Sequence, residues 1–234
     1  MPDQRFVEAV LDPTLIPQVY DGCDQWCDYC PLTARCLAFR CRPAGGSSGD
    51  IYHDVAEAMY ESMRDLKTKH EAQGTAVPDV LEWLLRHDPR ETATIVPVDD
   101  PLERLGRRYV MLTAAYLVSR RDISLEVPWR PGGPTPLDVV IRFHMLIAAK
   151  IYRAVIAASQ AARAADGGAA RDASLSAKVA LLCADRSDEA LSVLALDDED
   201  PRVGHLRQHL RRVIRELEAR FPSARGTVRP GFDE

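Results

Sequence analysis

From Asp50 to Phe221 apolar positions recur every three or four residues between polar ones, a period that predicts a succession of amphipathic helices. Ile51, Val55, Met59, Ser62 and Leu66 mark the first, over about 51–73, and a short one follows from Pro78 to His87, stopped by Asp88-Pro89. Asp100-Pro101-Leu102-Glu103 opens the third with an N-cap acid, a proline at the first helical position and a capping-box glutamate, and the pattern runs on to Arg121. Thr135-Pro136-Leu137-Asp138 opens the longest in the same way, reaching Arg163 before Asp166-Gly167-Gly168 breaks the chain. A fifth, over 173–196, carries Ala180, Cys183, Ser187, Ala190 and Leu194 on one face. Its Asp185-Arg186-Ser187-Asp188 run is expected to divide it, because serine and aspartate compete for backbone hydrogen bonds. The sixth starts at Asp200-Pro201 and has the cleanest stripe: Val203, Leu206, Leu210, Val213 and Leu217.

Before Asp50 the periodicity lapses. Residues 1–22 read as irregular, with Leu15 to Tyr20 a candidate short strand, and Pro43 to Gly49 has the composition of a flexible connector. Strands do not alternate with helices, which excludes doubly wound and barrel folds. The expected fold is therefore mainly α, a multi-helix up-and-down bundle over 50–221. It follows an irregular N-terminal Cys-rich metal-binding segment with its linker over 1–49 and precedes an irregular tail over 222–234. Residues 50–221 hold the long apolar stripes and are expected to fold without the cysteine segment.

That segment carries the chemistry. Cys23, Cys27, Cys30, Cys36 and Cys41 follow one another as C-x3-C-x2-C-x5-C-x4-C, with no histidine among them. No stretch is apolar enough to span a bilayer, and Met1 to Phe6 lacks the layout of a secretory signal, so the expected compartment is the reducing cytoplasm. There, clustered cysteines indicate metal or redox chemistry more than disulfides. Thiolates are soft donors that suit zinc, iron–sulfur clusters or Cu(I). Cys23, Cys27, Cys30 and Cys36 are the expected ligands of a [4Fe–4S] cluster or of Zn2+, and Cys41 is the dispensable fifth. A net charge of −5 gives no long-range attraction to phosphate backbones or anionic lipid, so neither nucleic acid nor membrane is an expected partner, and the partner class remains an unknown protein or small molecule.

The C-x3-C-x2-C spacing, with Tyr29 before the third cysteine, resembles the cluster-binding motif of radical S-adenosylmethionine enzymes, and Cys27-x2-Cys30-x5-Cys36 is similar to part of their auxiliary-cluster segment. This resemblance implies a cubane cluster. It ends at Cys36, and the helices beyond do not read as the parallel β/α barrel of those enzymes.

Polar residues on apolar faces give two further readings. His144 lies on the stripe of Val140, Ile147 and Ile151, with Lys150 and Arg153 further along the same helix. His53 and Glu57 are four apart on the first helix, and Lys178, Asp185 and Arg186 interrupt an apolar run on the fifth. A buried cluster of His53, Glu57, His144, Lys150, Asp185 and Arg186 would make the protein an enzyme with a pocket inside the bundle. No glutamate is followed three residues later by histidine, which argues against a carboxylate-bridged di-iron bundle. His205 and His209, with Arg212 and Glu216, read as a solvated face, and Cys183 reads as a packing residue. A third reading is a protein–protein interaction module that docks through the sixth helix and tail.

Overall fold

The computed structural model describes residues 12–40, 63–77, 82, 85, 99–120, 127, 129–164, 167–197 and 200–233. These residues are mainly helical, and no strand occurs among them. The chain divides into two compact units: one of residues 1–20 and 30–96, the other of residues 21–29 and 97–234.

The second unit holds four long helices, α1 (Pro101–Ser119), α2 (Pro136–Ala164), α3 (Gly167–Asp197) and α4 (Pro201–Arg220). Their starts are written in the sequence. Asp100 caps α1 by accepting from the amides of Leu102 and Glu103, and Asp200 caps α4 through that of Arg202. Each such cap contributes about 1 kcal/mol. At the head of α2 the Thr135 amide donates to Asp138 at 2.9 Å while the Asp138 amide donates to Thr135 Oγ1 at 3.2 Å, a reciprocal box. Burial opposes ionisation of Asp138, yet these bonds and Arg130 hold its carboxyl below the ordinary value.

α2 packs most extensively on α3, and α4 closes against both α3 and α1. Phe143, Ile147 and Ile151 from α2, Leu181 and Leu191 from α3, and the whole predicted α4 stripe are buried together with Tyr109 and Tyr116 of α1. Gly106 allows α1 to approach α2 closely, since a Cβ there would lie 3.1 Å from Ile151 Cδ1. The seam of α1 and α3 also buries the hydroxyls of Tyr109, Thr113 and Ser187, none of which makes a well-formed hydrogen bond among the described residues.

Two expectations are corrected. Residues 15–20 form turns, not a strand. Their amides serve local turns and a bond from Ile16 N to Arg35 O at 3.0 Å, so they have no ladder partner. α3 is a single helix from Gly167 to Asp197, begun earlier than expected and undivided at Asp185 to Asp188. Ser187 is fully buried there, and Asp185 and Asp188 point outward to Arg225 and to Arg207 and Arg211, so none of the three turns back on the backbone. The tail is irregular apart from one 3-10 turn at Ala224–Gly226. Of the first predicted helix, residues 63–72 are helical; its start, with His53 and Glu57, lies outside the described residues, as do most of 78–87, the connector 43–49 and Cys41.

In the first unit, turns over 12–20 meet the 3-10 turn Thr33–Arg35 and the short helix Leu37–Arg40. Arg35 Nε donates to Thr14 O at 3.0 Å, and Arg40 pairs with Asp12. Hydrogen bonds from the Thr14 hydroxyl and Arg40 hold the Asp12 carboxyl down at about 2.

Candidate functional site

Asp21–Tyr29 carries the first two cysteines and belongs to the helical unit, seated between α2 and α3. The contacts fix its course. At one end Arg153 of α2 spans Asp21 Oδ1 at 3.1 Å and Asp172 of α3 at 2.9 Å, while Lys150 Nζ donates to Asp21 O at 2.9 Å. At the other end Arg142 donates to Gln25 O and Arg186 of α3 pairs with Asp24. Gln25 has a φ of 57°, a left-handed turn that directs the next side chain back into the helices. That side chain, Trp26, is 6% exposed and stands edge-on to Phe143 at 5.3 Å and to Tyr29 at 5.2 Å between ring centroids. Tyr29 Oη in turn accepts the Arg130 amide at 2.8 Å.

Gly22 is placed where little else fits, because a Cβ there would lie 3.3 Å from both Leu175 of α3 and Arg229 of the tail. The tail is fastened above it: Lys178 Nζ donates to Thr227 O at 2.5 Å and pairs with Asp233 at 2.6 Å, and Asp233 also pairs with Arg229 at 2.8 Å. Cys23 is thus buried, between a glycine held against Leu175 and an aspartate held by Arg186.

Buried beside it are Lys150, 2% exposed, and Cys183 of α3. Burial pushes the Lys150 ammonium below its ordinary pKa, while the negative charge of a Cys23 thiolate would pull it the other way. Burial raises the Cys183 thiol, and the Asp24 carboxylate adds to that. Burial likewise raises the Asp21 carboxyl, against the pull of Arg153 and Lys150. Cys27 opens a 3-10 turn, Cys27–Tyr29, and is half-buried.

Cys30 and Cys36 lie in the first unit, Cys30 half-buried and Cys36 buried. The Leu32 amide donates to Cys30 Sγ at 3.4 Å. No disulfide occurs among the four described cysteines of the segment. Among the described residues no three His, Cys, Asp or Glu side chains are gathered as a metal site. The donors suit a soft metal by their chemistry, and their geometry is not that of a formed centre.

Among the described polar helix residues, His144, Asp185 and Arg186 each take a different partner. His144 is half-buried and bonds through Nδ1 to Ile141 O of its own helix at 2.8 Å; burial lowers its pKa. Asp185 pairs with Arg225 at 2.8 Å, Arg186 with Asp24, and Lys178 with the tail, so these groups are met by the tail and the cysteine segment and not by one another. Among the described candidates, Lys150 is the one found deep in the unit, bonded to the backbone of the cysteine segment. Of the pair expected on a solvated face, His205 is exposed, whereas His209 Nε2 reaches Leu105 O on α1 at 3.0 Å. Sequence periodicity missed Cys183 as a neighbour of the cysteine segment, and its face of α3 offered only a weak signal, shared with Arg186. No helix among the described residues is long and apolar enough to cross a membrane. Comparison with protein families, curated proteins and solved structures finds no match to this chain.

Proposed function

We propose that the protein is a metal-binding helical protein whose cysteine segment ligates a [4Fe–4S] cluster through Cys23, Cys27, Cys30 and Cys36, in a structural, redox or sensing role. Zn2+ is the alternative occupant of the same donors. The observation that carries the reading is the close spacing of the four cysteines, with the Leu32 amide directed at Cys30 Sγ. Amide hydrogen bonds to sulfur are among the groups that set cluster potentials. The ligating geometry then forms on binding, as is common where metal and fold are coupled. Arg142, Lys150, Arg153 and Arg186 hold the Asp21–Gln25 stretch of the segment against the helices.

The test is protein purified without oxygen. Iron and sulfide with absorption near 400 nm establish the cluster, and a colourless protein with about one zinc per chain establishes the alternative. Cys27→Ser and Cys30→Ser are expected to lose the metal in either case. Full retention in either variant sinks the assignment.

A further inference from the structure

We propose that residues 227–233 of the tail form a clasp that keeps the Cys23 thiol closed to solvent, with Lys178 of α3 as its catch. The purpose of the clasp, to control when Cys23 joins a metal centre, rests on the reading above; the closure itself does not. Leu175 and Lys178 stand three apart and so share a face of α3. Gly22, the residue before Cys23, lies against the first, and the tail is fastened to the second. Lys178 Nζ donates to Thr227 O at 2.5 Å and pairs with Asp233 at 2.6 Å. Asp233 also accepts the Arg229 amide at 3.0 Å and its guanidinium at 2.8 Å. The Arg229 stem is thereby laid across Gly22, where a Cβ would meet Arg229 Cβ at 3.3 Å and Cγ at 3.5 Å. Contact therefore runs from α3 through Asp233 and Arg229 onto the backbone beside Cys23, whose thiol is buried.

Two features make the tail the part that opens. Arg153 and Lys150 hold Asp21, and Arg186 holds Asp24, directly from the long helices. By contrast, no residue from Arg225 to Asp233 is fully buried. Segments with few buried contacts open locally at a lower cost than the core. The catch is also concentrated in one side chain, since Lys178 alone ties both Thr227 and Asp233 to α3. Its two bonds are charge-assisted, and both partners of the ion pair are largely sheltered from solvent, so salt screens the catch little.

The experiment is alkylation of the full-length, metal-free, reduced protein with iodoacetamide well below its melting temperature, followed at each cysteine by peptide mass spectrometry. A covered thiol reacts at the rate its cover opens, so Cys23 reports the clasp, and Cys183, 0% exposed within α3, reports opening of the helical unit. Lys178→Met is expected to speed alkylation of Cys23 about 10- to 100-fold, the loss of bonds to a charged group, and to leave Cys183 unchanged. Asp233→Asn, which keeps the bond from Lys178 to Thr227 O, is expected to give a smaller rise at Cys23 and none at Cys183. An unchanged Cys23 rate in both variants overturns the proposal. An equal rise at Cys23 and Cys183 overturns it as well, because the tail would then support the whole helical unit and not cover one thiol. Failure of the metal reading appears separately, as absence of iron and zinc from the parent protein, and leaves the clasp standing.

Discussion

Replacing Trp26 by alanine asks whether the cysteine segment is part of the helical core or rests on its surface. The indole is 6% exposed and makes two edge-on aromatic contacts, one of them to Phe143 of α2. Removing a buried tryptophan costs about 3–5 kcal/mol, aromatic contacts included. For a chain of this size each kcal/mol moves the melting temperature by about 2–4 °C, so the expected loss is about 6–20 °C. That is a large part of the roughly 5–15 kcal/mol available to a folded protein. The assay is far-ultraviolet circular dichroism of the metal-free protein during heating, so that loss of a ligand cannot imitate loss of packing. A variant that melts within about 3 °C of the parent would refute the reasoning. The same contacts bear on a chain begun near Ser47, which lacks Trp26 and every group held by Arg142, Lys150 and Arg186. It is expected to melt lower still, and cooperative melting at the parental temperature would mean that α2 and α3 close without the segment.

The buried Tyr109 hydroxyl has no well-formed hydrogen bond, so Tyr109→Phe is expected to leave the melting temperature unchanged or raise it slightly; a fall of several degrees would show that its hydroxyl contacts with Thr113 and Ser187 do contribute. Asp233 is held well below the usual carboxylate range by Arg229 first and Lys178 next. Because its folded pKa is depressed, its contribution is present above the unfolded value of about 4 and is lost as pH falls toward the folded one. Asp233→Asn should therefore melt below the parent at neutral pH, with the gap narrowing under acid; a gap independent of pH would contradict this.

The helices were legible because their information is local. Asp100-Pro101 and Asp200-Pro201 name their own caps, and the α4 stripe of Val203 to Leu217 is buried as its period requires. The errors arose where a local signal was overridden from a distance. Asp185 and Asp188 carry the mark of a helix break, yet Arg225, Arg207 and Arg211 take up both carboxylates. Those arginines lie 19 to 40 residues further along the chain, beyond the reach of any window used to judge helix propensity.

The candidate site divides in the same way. The cysteine spacing is covalent, hence readable, and it offers candidate donors without needing a fold. Periodicity assigns His144 to an apolar stripe, but it does not reveal that the ring will be satisfied by Ile141 O on the same helix. Lys150 shows the reverse. A lysine on a long helix ordinarily sends its charge to solvent. Here Asp21 O takes its ammonium inside, across a sequence separation of 129 residues, and only because Gly22 and Trp26 seat the segment in the groove. Cys183 reads as a packing residue until Arg186, one turn on, is found holding Asp24 next to Cys23 in the chain. The chemistry of both thiols thus depends on a docking event that the segment's glycine, tryptophan and two aspartates encode jointly and that none of them announces alone.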